Sequence, residues 1–308
     1  MGERLNYSDV KGIAAATKTK LIGVDLDGTL LAPGGVLRPR TAQAVKRARD
    51  AGLYVCVATG RSYRESVNAL SGMDARLGTD AAGLHVFAGG AMVIDRLDAT
   101  PDGYRVAARQ AMPPQLAREF CRIVEELGHA VQVLQDPTST GIDMLRSSNQ
   151  PIDDRETQWL AANPVRVREA DDLQDHHHQD TVRCSVVVDS SSMLRVESAI
   201  QDALVGRAYW HCIRVPSAGV DVLECFGPGV NKWTGLQLVG RLMGIPDEAI
   251  AAVGDDVNDV DMIKSAARSY AMGNAIPALK ELADEIIDNN ENDGVAQLLD
   301  HLISTAAV

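Results

Sequence analysis

Three short apolar segments near the N-terminus constrain the fold more than any other feature of the sequence. They are Leu21–Leu26, Leu53–Ala58 and Leu84–Gly89, and helix-patterned segments over Thr41–Gly52 and Tyr63–Leu70 separate them. Apolar runs of this length without polar alternation are typical of strands that are buried on both faces. Strands that alternate with helices imply right-handed crossovers and a parallel sheet. The sequence therefore predicts an α/β fold.

The same pattern returns in the C-terminal part of the chain. A helix over Asn231–Gly244 is followed by a strand at Ala249–Val253, and Gly294–Ile303 reads as a closing helix. Between the two parts, short strands arrive in pairs, which is typical of a mixed α+β unit. We therefore expect a leader at 1–18, a Rossmann-like parallel-sheet core at 19–111 and 227–308, and an inserted α+β domain at 112–226.

The composition limits the classes of function. The chain has 308 residues, of which 45% are hydrophobic and 23% are charged, as in ordinary globular proteins. It carries 42 acidic and 30 basic residues, a formal charge of −12, and no basic run offsets this excess. Such a surface repels phosphate backbones, so nucleic acid is not an expected partner. A site for an anionic substrate needs its own metal, lysine or arginine.

The termini and cysteines bear on where the protein works. The leader is charged throughout, unlike a signal peptide, and no stretch approaches the ~20 apolar residues that span a membrane. The five cysteines are scattered and form no CxxC pair, which favours core thiols in a reducing compartment. We expect a cytoplasmic protein without a membrane partner, and the sequence leaves its oligomeric state open.

Polar residues gather where the predicted parallel strands end. Asp25 and Asp27 lie at the end of the first predicted strand, and two carboxylates this close repel each other unless a cation or a shared proton intervenes. Carboxylate oxygens beside an anionic substrate favour Mg²⁺. By itself, this Asp-x-Asp-Gly-Thr segment also fits a strand that runs into a polar turn.

Three further motifs are individually weaker. Thr59-Gly60-Arg61 offers a hydroxyl and free N–H groups at a helix start, which suits phosphate. Gly254–Asp259 supplies more carboxylates, although Asp and Asn also cap helices. Lys232, taken alone, reads as an ordinary surface lysine. Because ligands of open parallel sheets bind at the carboxyl ends of the strands, we expect all four motifs to converge on one site.

Taken together, the motifs resemble those of the haloacid dehalogenase superfamily, and of its Cof-type hydrolases in particular. The matching segments are DLDGTL at 25–30, ATGR at 58–61, GVNK at 229–232 and GDDVNDVDM at 254–262, with AMGNA at 271–275. The likeness spans nearly all of the chain outside 112–226, which matches the family's α/β cap in outline. The resemblance implies an Mg²⁺-dependent phosphatase that acts through an aspartyl phosphate on a small phosphorylated metabolite, with sugar phosphates as one candidate.

The resemblance also implies a role for each motif residue. Asp25 would attack phosphorus, and Asp27 would protonate the leaving oxygen and then deprotonate the hydrolytic water. Lys232 would neutralise developing charge and orient Asp25. Carboxylate nucleophiles and charge stabilisation suit phosphoryl transfer chemically, since one difficult displacement becomes two easier ones.

The remaining motif residues would bind phosphate and metal. Thr59, the Gly60 amide and Asn258 would hold the phosphoryl oxygens. Asp255 would bind Mg²⁺ together with the Asp25 side chain and the Asp27 carbonyl, and the carboxylate of Asp259 would support either the metal or Lys232.

Two departures and several alternatives accompany this interpretation. Gly89 stands where the family often has Asn, and Trp233 where Gly commonly follows the lysine.

A phosphomutase would reuse the same chemistry but usually carries a longer, glycine-rich final motif. A catalytically silent metabolite-binding protein would not need the retained nucleophile, and dehalogenases and phosphonatases lack the second aspartate. Within 112–226, we expect polar residues that face the cleft to select the substrate; Arg146, Asn149 and Arg214 are candidates, although each also reads as an ordinary surface residue.

Overall fold

A computed structural model describes residues 18–77, 82–97, 103–152, 154–215 and 219–305. The predicted leader therefore lies outside the described residues except for Lys18. The strands in chain order are β1 (Leu21–Val24), β2 (Tyr54–Val57), β3 (Gly83–Phe87), β4 (Met92–Arg96), β5 (Tyr104–Arg109), β6 (Gln132–Gln135), β7 (Met144–Ser147), β8 (Val167–Ala170), β9 (Thr181–Val188), β10 (Tyr209–Val215), β11 (Val220–Phe226), β12 (Ile250–Gly254), β13 (Arg268–Ala271) and β14 (Glu285–Ile286).

The helices alternate with these strands at both ends of the chain. In chain order they are α1 (Pro39–Asp50), α2 (Tyr63–Leu77), α3 (Pro114–Glu126), α4 (Pro137–Thr140), α5 (Asp154–Ala161), α6 (Ser190–Leu204), α7 (Lys232–Met243), α8 (Val260–Ser265), α9 (Pro277–Leu282) and α10 (Gly294–Thr305).

The central sheet is parallel throughout, with the strand order β14–β13–β12–β1–β2. Its middle strands β1 and β12 are fully buried, as their unbroken apolar sequences predict. Helix α7 packs closely on β1, because a Cβ added at Gly23 would lie 2.4 Å from the Leu236 side chain. This close packing brings the N-terminus of α7 to the carboxyl end of β1, which Asp25 directly follows.

The third predicted strand differs in part from the expectation. β3 joins an antiparallel sheet with β4 and β5, and it meets the central sheet through a parallel bridge between Ala58 and Val86. The Thr59 N–H donates to the Val86 carbonyl at 3.0 Å and extends this connection. β3 therefore meets the central sheet only at this parallel bridge. Along its whole length it pairs with β4, the next strand in the chain, in an antiparallel hairpin.

A second large sheet is formed by strands that all lie between residues 132 and 226. Its order is β10–β11–β9–β6–β7–β8, and every pair is antiparallel except β7 with β8. Helices α3 and α6 cover one face of this sheet and form their own hydrophobic core, which includes Phe120, Val186 and Leu223. The other face is directed toward the carboxyl ends of the central strands. The α/β fold with an inserted α+β unit is thus confirmed.

In the part of the chain that the structure describes, no helix combines the length and apolar character needed to cross a membrane.

Candidate active site

The expected convergence at the strand ends is present. Asp25 follows β1, Thr59 lies just beyond β2, and Asp255 follows β12, and these three strands are neighbours in the sheet. A cavity of about 450 Å³ opens above them, between the central sheet and the second sheet. Six of the eight predicted site residues line this cavity, namely Asp25, Asp27, Thr59, Gly60, Asp255 and Asn258.

The other two predicted residues, Lys232 and Asp259, lie directly beneath Asp25. Lys232 Nζ donates to Asp25 Oδ1 and to Asp259 Oδ1, each at 2.6 Å. All three side chains are buried, and Lys232 is 1% exposed. Burial alone would lower the pKa of Lys232, but the attraction of the two carboxylates outweighs it and raises that pKa. The lysine is therefore a permanently charged partner for Asp25.

Asp255 completes an acidic cluster with Asp25 and Asp259. One ligand oxygen from each of the three carboxylates lies within 4.8 Å of the other two. Burial, followed by repulsion from Asp259, raises the pKa of Asp255 to about 7. Burial likewise raises the pKa of Asp25, against the opposing effect of Lys232. The cluster holds three carboxylates and one ammonium group, so it has the excess negative charge that a divalent cation would balance.

The hydrogen bonds divide this cluster into two parts. Asp259 uses Oδ1 for Lys232, and its Oδ2 accepts from the N–H groups of Asp255 and Asp256 at 2.9 and 3.2 Å. Both of its oxygens are thus engaged, which favours a supporting role for Asp259 over direct metal ligation. The oxygen-rich edge formed by Asp25 and Asp255 fits the ligand preference of Mg²⁺.

The orientation of Asp255 depends on the motif that follows β1. Thr29 Oγ1 donates to Asp255 Oδ1 at 3.0 Å, and Asn274 Nδ2 donates to the Gly28 carbonyl at 2.8 Å. Gly28 has a φ of 76°, and a Cβ there would lie 2.2 Å from Asp255 Oδ2. Only glycine allows both this turn and the close approach of the carboxylate. Sequence reasoning assigned no role to Thr29 or Asn274, although both fall within quoted motifs.

Asp27 is held apart from the acidic cluster by Arg61. Arg61 Nε and Nη2 donate to Asp27 Oδ2 and Oδ1, both at 2.7 Å. The Asp27 carboxylate is therefore paired with Arg61 in the wall of the cavity, which both residues line. That the carbonyl of Asp27, and not its side chain, serves a metal remains a prediction.

The predicted phosphate-binding residues Thr59, Gly60 and Asn258 line the same cavity as Asp25. Thr59 is buried, and its Oγ1 accepts from the Arg61 N–H at 3.2 Å. A Cβ added at Gly60 would lie 3.3 Å from both Asn258 Nδ2 and Glu224 Oε2, so the loop fits tightly between the two sheets. The phosphate-binding roles of Thr59, Gly60 and Asn258 remain predictions.

The second sheet supplies polar groups that sequence reasoning did not identify. Arg183 Nη1 lies 2.7 Å from the Gly60 carbonyl and 2.6 Å from Glu224 Oε1, and Arg183 Nη2 lies 3.2 Å from Glu65 Oε1. His211 Nε2 lies 2.9 Å from Glu224 Oε2. These side chains are buried, and nothing in their local sequence distinguishes them from ordinary strand residues.

The prediction that Arg146, Asn149 and Arg214 face the cleft is wrong. Arg146 pairs with Glu169 at 2.7 Å, Arg214 is bound to Asp221 at 3.3 Å, and Asn149 Nδ2 approaches the Asp171 carbonyl at 3.5 Å. None of the three is among the described residues that line the cavity. Arg214 lies on the opposite side of β10 from Ile213, because successive strand side chains alternate between faces.

The two departures from the family pattern have local consequences. A Cβ at Gly89 would lie 2.6 Å from the Phe226 ring, so the missing side chain makes room for this buried phenylalanine. Trp233 is partly buried against the main core beside Lys232. Neither residue contributes to the described lining of the cavity.

Comparison with known proteins agrees with the geometry. The sequence profile of the haloacid dehalogenase-like hydrolases matches residues 22–299. The chain belongs to this family. The expected Cof-type assignment is confirmed.

Several relatives of this hydrolase match over almost their whole length. The Bacillus subtilis enzyme YitU, a 5-amino-6-(5-phospho-D-ribitylamino)uracil phosphatase, is 28% identical over 94% of this chain and 99% of its own. An HMP-PP phosphatase from Enterobacter is 25% identical over 92% of this chain and 95% of its own. A solved subclass IIB sugar phosphatase, BT4131, has a TM-score of 0.73 at 20% identity and covers 92% and 98% of the two chains. Family membership and these phosphatase relatives identify the chain as a phosphomonoester hydrolase.

Proposed function

We propose that this hydrolase cleaves a small phosphorylated metabolite in two phosphoryl transfers through Asp25. The observation that carries the proposal is the buried contact of 2.6 Å between Lys232 and Asp25 at the floor of the cavity. The lysine opposes the rise in the Asp25 pKa that burial causes, and it directs one of the Asp25 oxygens. The cavity volume of about 450 Å³ lies within the range of small-molecule sites.

In the first transfer, an Asp25 oxygen attacks phosphorus and the bond from phosphorus to the ester oxygen breaks. The leaving oxygen takes a proton from Asp27, and Asp25 becomes an aspartyl phosphate. In the second transfer, a water attacks the same phosphorus while Asp27 accepts its proton. The acyl phosphate bond breaks, and inorganic phosphate and the free Asp25 carboxylate are released.

The other predicted residues act on the phosphoryl group during both transfers. We assign Thr59, the Gly60 amide and Asn258 to the phosphoryl oxygens, and Lys232 to the charge that develops beside Asp25. Mg²⁺ would be held by Asp25, Asp255 and the Asp27 carbonyl, where it would neutralise phosphoryl charge. Asp259 positions Lys232 and the N–H groups of the Asp255 loop.

The relatives support the class of substrate. YitU and the HMP-PP phosphatase both act on small phosphorylated metabolites, and both align with nearly all of this chain. The cavity lies between the catalytic strands and the second sheet, which supports a cap role for 112–226 and a boundary near residues 111 and 227. We place the chain's own substrate in the same broad class.

Two variants test the mechanism. Asp25→Asn should reduce hydrolysis of p-nitrophenyl phosphate by at least ~1,000-fold, because an amide does not attack phosphorus. Asp27→Asn should instead give a burst of about one p-nitrophenolate per active site, followed by slow turnover, because a good leaving group needs no acid but the water still needs its base.

The controls separate this function from the alternatives. Intact mass must show that neither asparagine has deamidated, and the thermal unfolding of both variants should match the wild-type protein. Substantial turnover by verified Asp25→Asn protein would contradict the nucleophile. A phosphomutase would return the phosphoryl group to an organic acceptor instead of releasing inorganic phosphate, and a silent binding protein would show neither burst nor turnover.

A further inference from the structure

The wall of the cavity that the second sheet provides is graded from polar to apolar. Strand register places Gln132, Ser185 and Glu224 side by side in one row across β6, β9 and β11. We call these three residues the polar row. Two positions further along the strands, Val187, Val222 and Ile213 form a second row across β9, β11 and β10. We call these the apolar row.

The polar row is the one nearer the catalytic groups. Glu224 Oε2 would lie 3.3 Å from a Cβ at Gly60, and Arg183, two residues before Ser185, bonds the Gly60 carbonyl. Because two residues of a strand span about 7 Å, the apolar row begins about one sugar ring further from the phosphate cradle. Val220 and Val215, which are paired in register, continue the row beyond it, where Arg155 and Glu156 also line the cavity.

The apolar row is accessible from the cavity and is not part of a packed core. Val187, Val222 and Ile213 are each partly exposed, whereas their strand neighbours Val186 and Leu223 are buried under the helices. When an apolar ligand surface covers partly exposed aliphatic groups inside a cleft, the burial of both surfaces stabilises the complex. The continuity of this surface with the catalytic floor indicates that its occupant is the far end of the phosphate ester itself.

We propose that Val187, Val222 and Ile213 bind an apolar, ring-bearing end of the leaving group, which a polar segment separates from the phosphate. The proposal rests on the proposed function and adds a substrate class to it. Hydroxyl groups of the polar segment would lie against Gln132, Ser185 and Glu224, which carry both donors and acceptors. Esters that end at the polar segment would leave the apolar row uncovered.

Two matched pairs of esters test this class in the wild-type enzyme. The first pair is uridine 5′-monophosphate and ribose 5-phosphate, and the second is flavin mononucleotide and ribitol 5-phosphate. Within each pair the polar segment is the same, and only the first member carries the additional ring system at its far end. In at least one pair, we expect kcat/KM to be about 10- to 100-fold higher for the ring-bearing ester, the scale of one or two apolar contacts. Equal kcat/KM within both pairs would overturn the proposal.

A variant assigns the preference to the apolar row. Val222→Thr keeps the side-chain shape and replaces one methyl group by a hydroxyl, so it should lower kcat/KM for the ring-bearing ester about 10-fold more than kcat/KM for the ring-free ester. Val205→Thr makes the same chemical change at an exposed position outside the cavity and should alter neither value. An equal change for both esters in Val222→Thr would contradict the assignment.

Hydrolysis of p-nitrophenyl phosphate distinguishes the two levels of the argument. If the enzyme cleaves this generic ester but none of the four test esters, the ring-bearing class is wrong and the phosphatase function stands. If it cleaves no phosphate ester in the presence of Mg²⁺, the proposed function fails and the ring proposal fails with it.

Discussion

The Arg61 guanidinium donates one hydrogen bond to each carboxylate oxygen of Asp27, both at 2.7 Å. Both residues come from motifs at neighbouring strand ends, and both line the cavity. A planar guanidinium matches a carboxylate in this forked geometry, which a lysine does not reproduce. We infer that Arg61 positions Asp27 for proton transfer and releases one oxygen when the leaving group arrives.

The variant Arg61→Lys should therefore impair proton transfer more than binding. We expect kcat for an alkyl phosphate to fall about 10-fold or more, because an alkoxide leaving group needs its acid, while the first transfer from p-nitrophenyl phosphate changes much less. Steady-state kcat and the burst amplitude with the two esters measure these steps separately. An equal loss for both esters would show that Arg61 acts on the phosphoryl group instead of on Asp27.

Lys232 is the buried countercharge of the site, so its removal should affect stability as well as activity. In Lys232→Met, Asp25 and Asp259 keep their buried positions but lose a partner at 2.6 Å. Leaving buried charge unpaired costs roughly 3–5 kcal/mol, which should appear as a loss in the free energy of unfolding. Lys20→Met, at an exposed lysine, is the matched control and should change the unfolding midpoint little.

The outcome for Lys232→Met also has a chemical component. Phosphatase activity should be lost even at temperatures at which the variant is folded. Urea unfolding followed by circular dichroism, together with activity at low temperature, separates the two effects. A folded and active Lys232→Met protein would contradict the placement of this lysine beside the nucleophile.

Metal dependence follows from the excess of carboxylates over ammonium groups beneath the cavity. Exhaustive chelation should abolish turnover, Mg²⁺ should restore it, and Ca²⁺ should not, because Ca²⁺ favours longer and more numerous oxygen contacts. Mg²⁺ should also raise the thermal unfolding temperature, since a ligand that binds the folded state stabilises it. Asp255→Asn should weaken both responses. Full activity after verified metal removal would refute the metal site.

Much of this site was predictable because its residues are local to strand ends. A buried strand such as Leu21–Val24 has a clear apolar signature, and parallel strands necessarily bring their carboxyl ends together. Asp25, Thr59 and Asp255 could therefore be placed in one region from the sequence. Lys232 could not be placed by pattern alone, because a single lysine at a helix start is common on surfaces. Its burial depends on how closely α7 packs at Gly23.

The second sheet was predictable as a set of strands but not as a wall of the cavity. Strand register decides that Val187, Val222 and Ile213 lie side by side, and register is a property of the folded pairing. The prediction that Arg146 and Arg214 face the cleft was wrong, because each pairs with an acidic residue of the second sheet. The departure of β3 from the central sheet likewise reflects a competition between β2 and β4 that apolar content does not reveal.

Arg183 connects the two sheets through the loop that we assign to phosphate. It contacts Glu224 on its own sheet, Glu65 of helix α2 and the Gly60 carbonyl, and it is 4% exposed. Burial alone would raise the pKa of Glu224, but Arg183 and His211 outweigh it and lower that pKa, so the pair with Arg183 is ionised. Arg183→Met should destabilise the protein by roughly 3–5 kcal/mol, since two carboxylates lose their cation.

A second variant separates the charge of Arg183 from its contact with the loop. In Arg183→Met combined with Glu224→Gln, one buried charge is removed, so we expect part of the lost unfolding free energy to return. The hydrogen bond to the Gly60 carbonyl stays absent in both variants, so the inhibition constant for inorganic phosphate should remain weakened by about 10-fold, the scale of one charge-assisted hydrogen bond. Stability and phosphate affinity should therefore change independently. Recovery of both in the double variant would mean that Arg183 acts through charge balance alone. The Gly60 loop would then not depend on the second sheet for its position.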